Sequence, residues 1–183
     1  MSLLARAGSL IAPRRLLDRR RFGEARAADL GRLRARFTAQ PSRGPEAAVA
    51  RELPALKRAV AEAYAEARSC AGCGRGCARP AGRWPGGRCC GTSTLTVFSP
   101  LEVRAMKLAG QRAPEAAAGD AAEAGCAFRG PTGCSLAPEA RPVRCLLYEC
   151  AELGEEMAGN DEARARRRAL AEAYERFAAL ASR

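Results

Sequence analysis

The chain has 183 residues, carries a formal net charge of +11, and contains nine cysteines but no histidine. This length predicts a single domain, and a chain without histidine excludes acid–base chemistry that depends on an imidazole. No segment of the sequence is apolar and continuous enough to predict a transmembrane helix.

The first 45 residues are strongly basic. Eleven arginines and only three acidic residues lie between Met1 and Pro45, so this segment supplies +8 of the net charge. Arginines interspersed with Leu and Ala from Ser2 to Phe37 are typical of a targeting segment, a membrane-surface segment or a nucleic-acid-binding arm, and a solvated extension is the alternative. We therefore predict a basic, flexible leader over residues 1–45 and a single helical domain over residues 46–183.

A predicted amphipathic helix follows, from Ala47 to Arg68. Its apolar residues recur at helical spacing and form one stripe, which Pro54 interrupts near its start. The stripe consists of Val49, Leu53, Leu56, Val60 and Tyr64. We expect it to face the core.

All nine cysteines lie between positions 70 and 150, in two groups. The first group is Cys70, Cys73, Cys77, Cys89 and Cys90, and the second is Cys126, Cys134, Cys145 and Cys150. Arginines and Pro13 break up the start of the chain, so it does not predict a secretory signal, and we expect a reducing cytoplasmic environment in which disulfides are rare. Metal ligation is the favoured interpretation, with disulfides and unrelated buried cysteines as alternatives.

The region between the two cysteine groups predicts a strand and then a helix. Thr92 to Phe98 (TSTLTVF) is an alternating β-branched run, which predicts a short β element. Ser99 suits a helix N-cap, Pro100 the first helical position and Glu102 the third, so a capping box is expected.

The second cysteine group is followed by the last predicted helices. Cys145 and Cys150 are five residues apart, about 140° around an ideal helix, so we expect Cys150 to lie where the helix from Pro142 to Glu149 ends. Glu149 is either an oxygen ligand on the face of Cys145 or, as we favour, an exposed carboxylate. The segment from Asp161 to Ala181, capped by Asn160, predicts a long helix.

That last helix has an apolar and a basic face. Its predicted apolar side carries Leu170, Tyr174, Phe177 and Leu180. We expect it to pair with the helix from Ala47 to Arg68. Its arginines at positions 164, 166, 167 and 168 are balanced by nearby acids and are interpreted as an exposed face.

Thiolate ligands determine which metals the cysteines favour. They select zinc, copper(I) or iron–sulfur clusters over magnesium and calcium. Four thiolates around zinc leave a net charge of about −2, which arginines could offset by donating to sulfur. The arginines near the cysteines are Arg75, Arg79, Arg83, Arg88, Arg129, Arg141 and Arg144. For any one of them, a solvated surface charge is the favoured interpretation.

The stretch from Gly125 to Cys150 resembles the second half of the YkgJ-type cysteine cluster proteins, the CxxCxxCC family described as zinc- or iron-chelating. The matching residues are Cys126, Gly133, Cys134, Arg141, Pro142, Cys145 and Cys150. In the first half, Cys70, Cys73, Cys89 and Cys90 correspond to the family's four cysteines. This chain departs from the pattern in three ways: an insert from Gly74 to Arg88, the additional Cys77 within it, and Leu146 where an arginine commonly stands. The resemblance covers under half of the chain.

The resemblance implies a mainly α fold with a short β element, in which helices flank a small irregular cysteine-rich core that holds zinc, iron or an iron–sulfur cluster. It implies eight metal ligands: Cys70, Cys73, Cys89, Cys90, Cys126, Cys134, Cys145 and Cys150. Cys77 either replaces Cys89 or Cys90 in a site or, as we favour, is not a ligand.

The function expected from this resemblance is metal binding. The alternative is an iron–sulfur enzyme for redox or methyl-transfer chemistry, because flagellin lysine N-methylases carry a similar cysteine-rich region. A zinc-stabilised nucleic-acid-binding module ranks third, because there is one C-x-x-C pair and few aromatic residues near the cysteines. The sequence has neither a dinucleotide-binding motif nor a P-loop, so we assign no catalytic residue.

Overall fold

The computed structural model describes residues 24–39, 41, 44–67, 93–115, 126–130 and 133–183. Within this part the protein is mainly helical, as the sequence predicted. The helices are α1 (24–38), α2 (Glu46–Ala63), α3 (Thr94–Val97), α4 (Pro100–Leu108), α5 (Val143–Leu147), α6 (Ala151–Glu156) and α7 (Asp161–Ala181). Two short strands, β1 (Arg129–Gly130) and β2 (Gly133–Cys134), and a 3-10 turn, Pro138–Ala140, complete the described elements. None of the described helices is long and apolar enough to cross a membrane.

The long helices α2 and α7 pack against each other and form the main core, which confirms the predicted pairing. Leu53 and Val60 of α2 are buried with Leu170 and Phe177 of α7, and Val143 of α5 closes the same cluster. Helix α2 continues through Pro54 and ends at Ala63, five residues before the predicted end. Burial of the two apolar stripes against each other therefore holds this half of the molecule together.

Helix α7 has the predicted bounds. Its N-cap Asn160 accepts a hydrogen bond from the backbone N–H of Ala163 at 2.9 Å, which satisfies one of the donors left without a partner at a helix start. Arg164 is exposed and pairs with Asp161, as expected for a surface face. Arg166 instead donates to the carbonyl of Ala59 at 2.9 Å, which ties α7 to α2.

The predicted strand from Thr92 to Phe98 is wrong, because Thr94–Val97 is a helical turn. Val97 and Phe98 are buried, as is Thr94, whose hydroxyl accepts from the backbone N–H of Ala127 at 2.9 Å. Ser93 and Thr96 share a hydroxyl–hydroxyl hydrogen bond of 2.9 Å. Local hydroxyl bonds and burial at helical spacing outweigh the strand preference of β-branched residues.

Helix α4 begins as predicted, but its capping box is incomplete. Ser99 Oγ accepts from the backbone N–H of Glu102 at 3.2 Å, and Pro100 occupies the first helical position. The Glu102 carboxylate does not accept a hydrogen bond from the backbone N–H of Ser99, as a complete capping box requires. It accepts from Lys57 Nζ at 2.5 Å and from the backbone N–H of Val143 at 3.1 Å. Glu102 thus joins α2, α4 and α5 through one buried carboxylate.

Helix α1 lies within the predicted basic leader and packs against a second hydrophobic cluster. Leu33 is fully buried there with Phe98, Met106 and Phe128. Arg36 of α1 also donates to the carbonyl of Phe98 at 2.8 Å. Residues 24–38 of the predicted leader thus pack against the rest of the chain. Residues 1–23 lie outside the described part, and the division at residue 45 stays a prediction.

Glu46, buried at the start of α2, makes an ion pair with the half-buried Arg104 of α4. Hydrogen bonding to Arg104 is the main cause that holds the pKa of Glu46 below its ordinary value of 4.5. A depressed carboxyl pKa gives stability that is fully present above the unfolded pKa and is lost as the pH falls through the folded value. We therefore expect the Glu46→Gln variant to be less stable than wild type at pH 7.

The same pair predicts a difference in acid sensitivity. Between pH 7 and pH values below the ordinary carboxyl pKa, the Glu46→Gln variant should lose less unfolding free energy than wild type, because one linked protonation is absent. Urea denaturation of both proteins across this pH range measures the difference. Parallel pH profiles would contradict the assigned role of Glu46.

Candidate metal centre

A tight antiparallel hairpin brings Cys126 and Cys134 close together. Strand β1 pairs with β2, with Arg129 opposite Cys134. The N–H of Arg129 donates to the carbonyl of Cys126 at 3.3 Å, and the N–H of Ser135 donates to the carbonyl of Phe128 at 2.9 Å. These bonds fold the chain back on itself, so that the two cysteines lie on one side of the second hydrophobic cluster.

The surroundings of the Cys126 thiol are partly apolar and partly polar. Burial raises the pKa of Cys126, and the neighbouring Cys134 raises it further. The backbone N–H of Phe128, the guanidinium of Arg26 and the hydroxyl of Thr94 act in the opposite direction. A bound cation would favour the thiolate, as those three groups do, because metals bind deprotonated cysteine.

Arg129 is the buried arginine beside this pair. It is 4 % exposed and lies directly across the hairpin from Cys134. The favoured interpretation of a solvated charge is therefore wrong for Arg129. Arg144 is exposed, as expected for a solvated charge. Arg141 is half-buried and donates to the carbonyl of Leu136 at 3.1 Å. The other four arginines near the cysteines lie outside the described residues.

Cys145 and Cys150 occupy a different part of the fold. Cys145 is exposed on α5, which ends at Leu147, and Cys150 is the half-buried N-cap residue of α6. The helix therefore ends before Cys150, as predicted from the five-residue spacing. Cys150 packs against a third cluster, which contains Ala67, Leu153, Met157 and Ala163.

Glu149 fits neither of its predicted roles well. Its side chain is 23 % exposed and forms an ion pair with Arg167 of α7, which also donates to the carbonyl of Leu147 at 2.6 Å. The expectation of an exposed carboxylate is wrong, because Glu149 is half-buried and Arg167 donates to its Oε2. Arg167 is likewise not part of an exposed face, because it links α7 to the segment between Cys145 and Cys150.

The other predicted ligands, Cys70, Cys73, Cys89 and Cys90, lie outside the described residues, as does Cys77. Among the residues that the structure describes, no three His, Cys, Asp or Glu side chains lie close enough to hold a metal ion. The described part therefore brings together Cys126 and Cys134, and it places Cys145 and Cys150 elsewhere.

Sequence reasoning missed Thr94 and Arg26, which both lie beside Cys126. Thr94 was assigned to a strand, and Arg26 to a flexible leader. The signal for Thr94 was the spacing of Thr94, Val97 and Phe98, which places all three on one face of a helical turn.

Comparison of the chain with protein-family models, with curated proteins and with solved structures gave no match. The resemblance to the cysteine cluster proteins therefore stays a prediction.

Proposed function

We propose that this protein binds zinc or iron through clustered cysteine thiolates in the cytoplasm. The proposed ligands are Cys70, Cys73, Cys89, Cys90, Cys126, Cys134, Cys145 and Cys150. The observation that carries the proposal is the hairpin that sets Cys126 beside Cys134, next to arginine side chains. Two neighbouring thiols are half of a four-thiolate site.

The position of Thr94 supports a metal site that combines Cys126 and Cys134 with cysteines of the first group. Thr94 contacts Cys126 and follows Cys90 by four residues. Because a chain spans at most about 3.6 Å per residue, the α-carbons of Cys90 and Thr94 are no more than about 14 Å apart. This limit supports a site in which Cys126 and Cys134 share a metal with the Cys89–Cys90 pair.

The position of Ala67 supports a second site. Ala67 is buried in the cluster against which Cys150 packs, and it precedes Cys70 by three residues. By the same limit, the α-carbons of Ala67 and Cys70 are no more than about 11 Å apart. Ala67 and Thr94, which flank the first cysteine group in the sequence, thus lie beside different members of the second group. We infer that Cys70 and Cys73 bind a second metal together with Cys145 and Cys150.

Two cations lie near the hairpin, where they would offset part of the negative charge of metal-bound thiolates. A four-thiolate zinc site has a net charge of about −2, so a partly buried site needs nearby cations. Arg129 lies across the hairpin from Cys134, and Arg26 donates to the carbonyl of Ala127 at 3.1 Å, one residue from Cys126.

Metal content measured by mass spectrometry, together with an ultraviolet–visible spectrum, tests the proposal. The protein should be purified without oxygen and without a metal-binding tag. We expect about two metal ions per chain from two four-thiolate sites. Zinc with a featureless visible spectrum supports structural sites, whereas iron with inorganic sulfide and brown absorbance supports the iron–sulfur enzyme. Protein that is reduced, folded and free of metal would contradict the proposal.

A further inference from the structure

Two adjoining hollows lie between α1 and α4, and α2 lines one of them; none of the described cysteines lines either hollow. One has a volume of about 590 Å³ and is lined by residues of all three helices, including Phe37, Arg51 and Leu108. The other has a volume of about 630 Å³ and is lined by Arg36, among others. They share Pro41 and Lys107, and we refer to both together as the basic cleft.

The charge of the basic cleft is uncompensated. Arg36, Arg51, Lys107 and Arg112 line it, and none of these four pairs with a carboxylate in the part of the chain that the structure describes. A fifth cation, Arg104, is neutralised by Glu46. Surface cations are normally interspersed with acids, so four cations around one hollow create a positive potential that attracts anions.

Two of these cations are held in place by the fold. Lys107 Nζ donates to the carbonyl of Arg36 at 3.1 Å, near the C-terminal end of α1, and Arg36 donates to the carbonyl of Phe98 at 2.8 Å. Neither carbonyl carries a formal charge, so these contacts do not offset the positive charge around the cleft. Arg51 and Arg112 are exposed and can move toward a ligand.

The shape and lining of the cleft indicate the class of ligand. The volume of each hollow lies in the range of pockets that hold small organic molecules. Phe37, Pro41 and Leu108 provide apolar surface beside the cations. A guanidinium group binds a phosphate through two parallel N–H···O hydrogen bonds. Sites for single-stranded nucleic acid usually add exposed aromatic residues on which the bases stack. Among the described residues, the one large exposed hydrophobic side chain is Tyr148, which does not line the cleft.

We propose that the basic cleft binds a small organic phosphate, with the phosphate between Lys107, Arg51 and Arg112 and the organic group against Phe37 and Leu108. None of the four described cysteines lines this cleft, and the proposal does not depend on the proposed metal binding.

Phenyl phosphate tests the proposal, because it combines a phosphate with a small apolar ring and binds metals weakly. Isothermal titration calorimetry on the full chain at about 0.15 M ionic strength should detect binding. The double variant Arg51→Gln with Arg112→Gln should bind about tenfold more weakly, since hydrogen bonds to charged groups are lost. Both arginines are exposed, so the variant should fold, which far-ultraviolet circular dichroism checks.

Arg168→Gln is the matched control. Arg168 is exposed on α7, outside the lining of the cleft, and its replacement removes a positive charge elsewhere. It should change the affinity for phenyl phosphate less than about twofold, the effect of one distant screened charge. The proposal is overturned if wild type does not bind phenyl phosphate, if benzyl alcohol binds equally well, or if Arg168→Gln weakens binding as much as the double variant. A mixed-sequence oligonucleotide that displaces phenyl phosphate with a steep salt dependence would instead identify a nucleic-acid surface.

Discussion

Replacing Glu102 with alanine is expected to lower the free energy of unfolding by about 3–5 kcal/mol, because Lys57 is left as an unpaired buried charge. Both side chains are 2 % exposed, and Lys57 Nζ donates to Glu102 at 2.5 Å. The same carboxylate accepts from the backbone N–H of Val143, so the variant also removes the partner of a buried donor at the start of α5. Urea denaturation, followed by circular dichroism, measures the loss.

A surface ion pair supplies the matched control for this variant. Glu139 and Arg58 are 38 % and 55 % exposed and lie 4.0 Å apart. Glu139→Ala should therefore cost less than about 1 kcal/mol. A loss no larger for Glu102→Ala than for Glu139→Ala would contradict the role of the buried pair. The double variant Lys57→Met with Glu102→Leu should be more stable than Glu102→Ala, since it leaves neither charge unpaired.

The buried pair shows where sequence reasoning stops. Glu102 fits a capping box from its spacing to Ser99, and only the tertiary structure shows that its carboxylate binds groups 45 and 41 residues away. Lys57 does carry a signal, because it follows Leu53 by four residues and precedes Val60 by three. A lysine on the apolar face of a helix needs a buried partner, and the sequence does not say which acid that is.

The long helices could be predicted because their apolar residues repeat over many turns. Helix α7 has the predicted start and end, since Asn160 and the stripe of Leu170 and Phe177 agree with each other. The segment Thr94–Val97 is too short to contain both a capping residue and a repeated apolar stripe. Four residues, three of them β-branched, fit either a strand or a helical turn, and the fold decides between the two by burying Thr94 beside Ala127.

The sequence predicted that cysteines form the candidate site, but it did not predict which cysteines lie close together. Cysteine spacing alone does not tell which thiols meet, because that depends on where the chain turns. The pairing of β1 with β2 places Cys134 beside Cys126, and α5 ends at Leu147, so Cys150 lies outside the helix that carries Cys145. The burial of Arg129 depends on the same hairpin, so its sequence position gave no indication of it.

Replacing both Cys126 and Cys134 with serine is expected to remove about half of the bound metal from the chain. A serine hydroxyl is a poor substitute for a thiolate, so a site that loses two of its four ligands should not retain its ion. Because binding of a structural metal stabilises the folded state, the variant should also unfold at a lower denaturant concentration than wild type. Metal content by mass spectrometry and urea denaturation of the same samples measure both effects.

Cys77→Ser is the control that separates ligation from a general effect of losing thiols. Cys77 is the cysteine that the proposed ligand set leaves out, so this variant should keep the full metal content and the stability of wild type. Serine preserves the size of the side chain, and the backbone bonds of the hairpin, such as Ser135 N–H to the carbonyl of Phe128, do not involve the thiols. Loss of metal in the double variant with retained helical circular dichroism would therefore assign the thiols of Cys126 and Cys134 as ligands. Unchanged metal content in that variant, or equal loss in Cys77→Ser, would contradict the assignment.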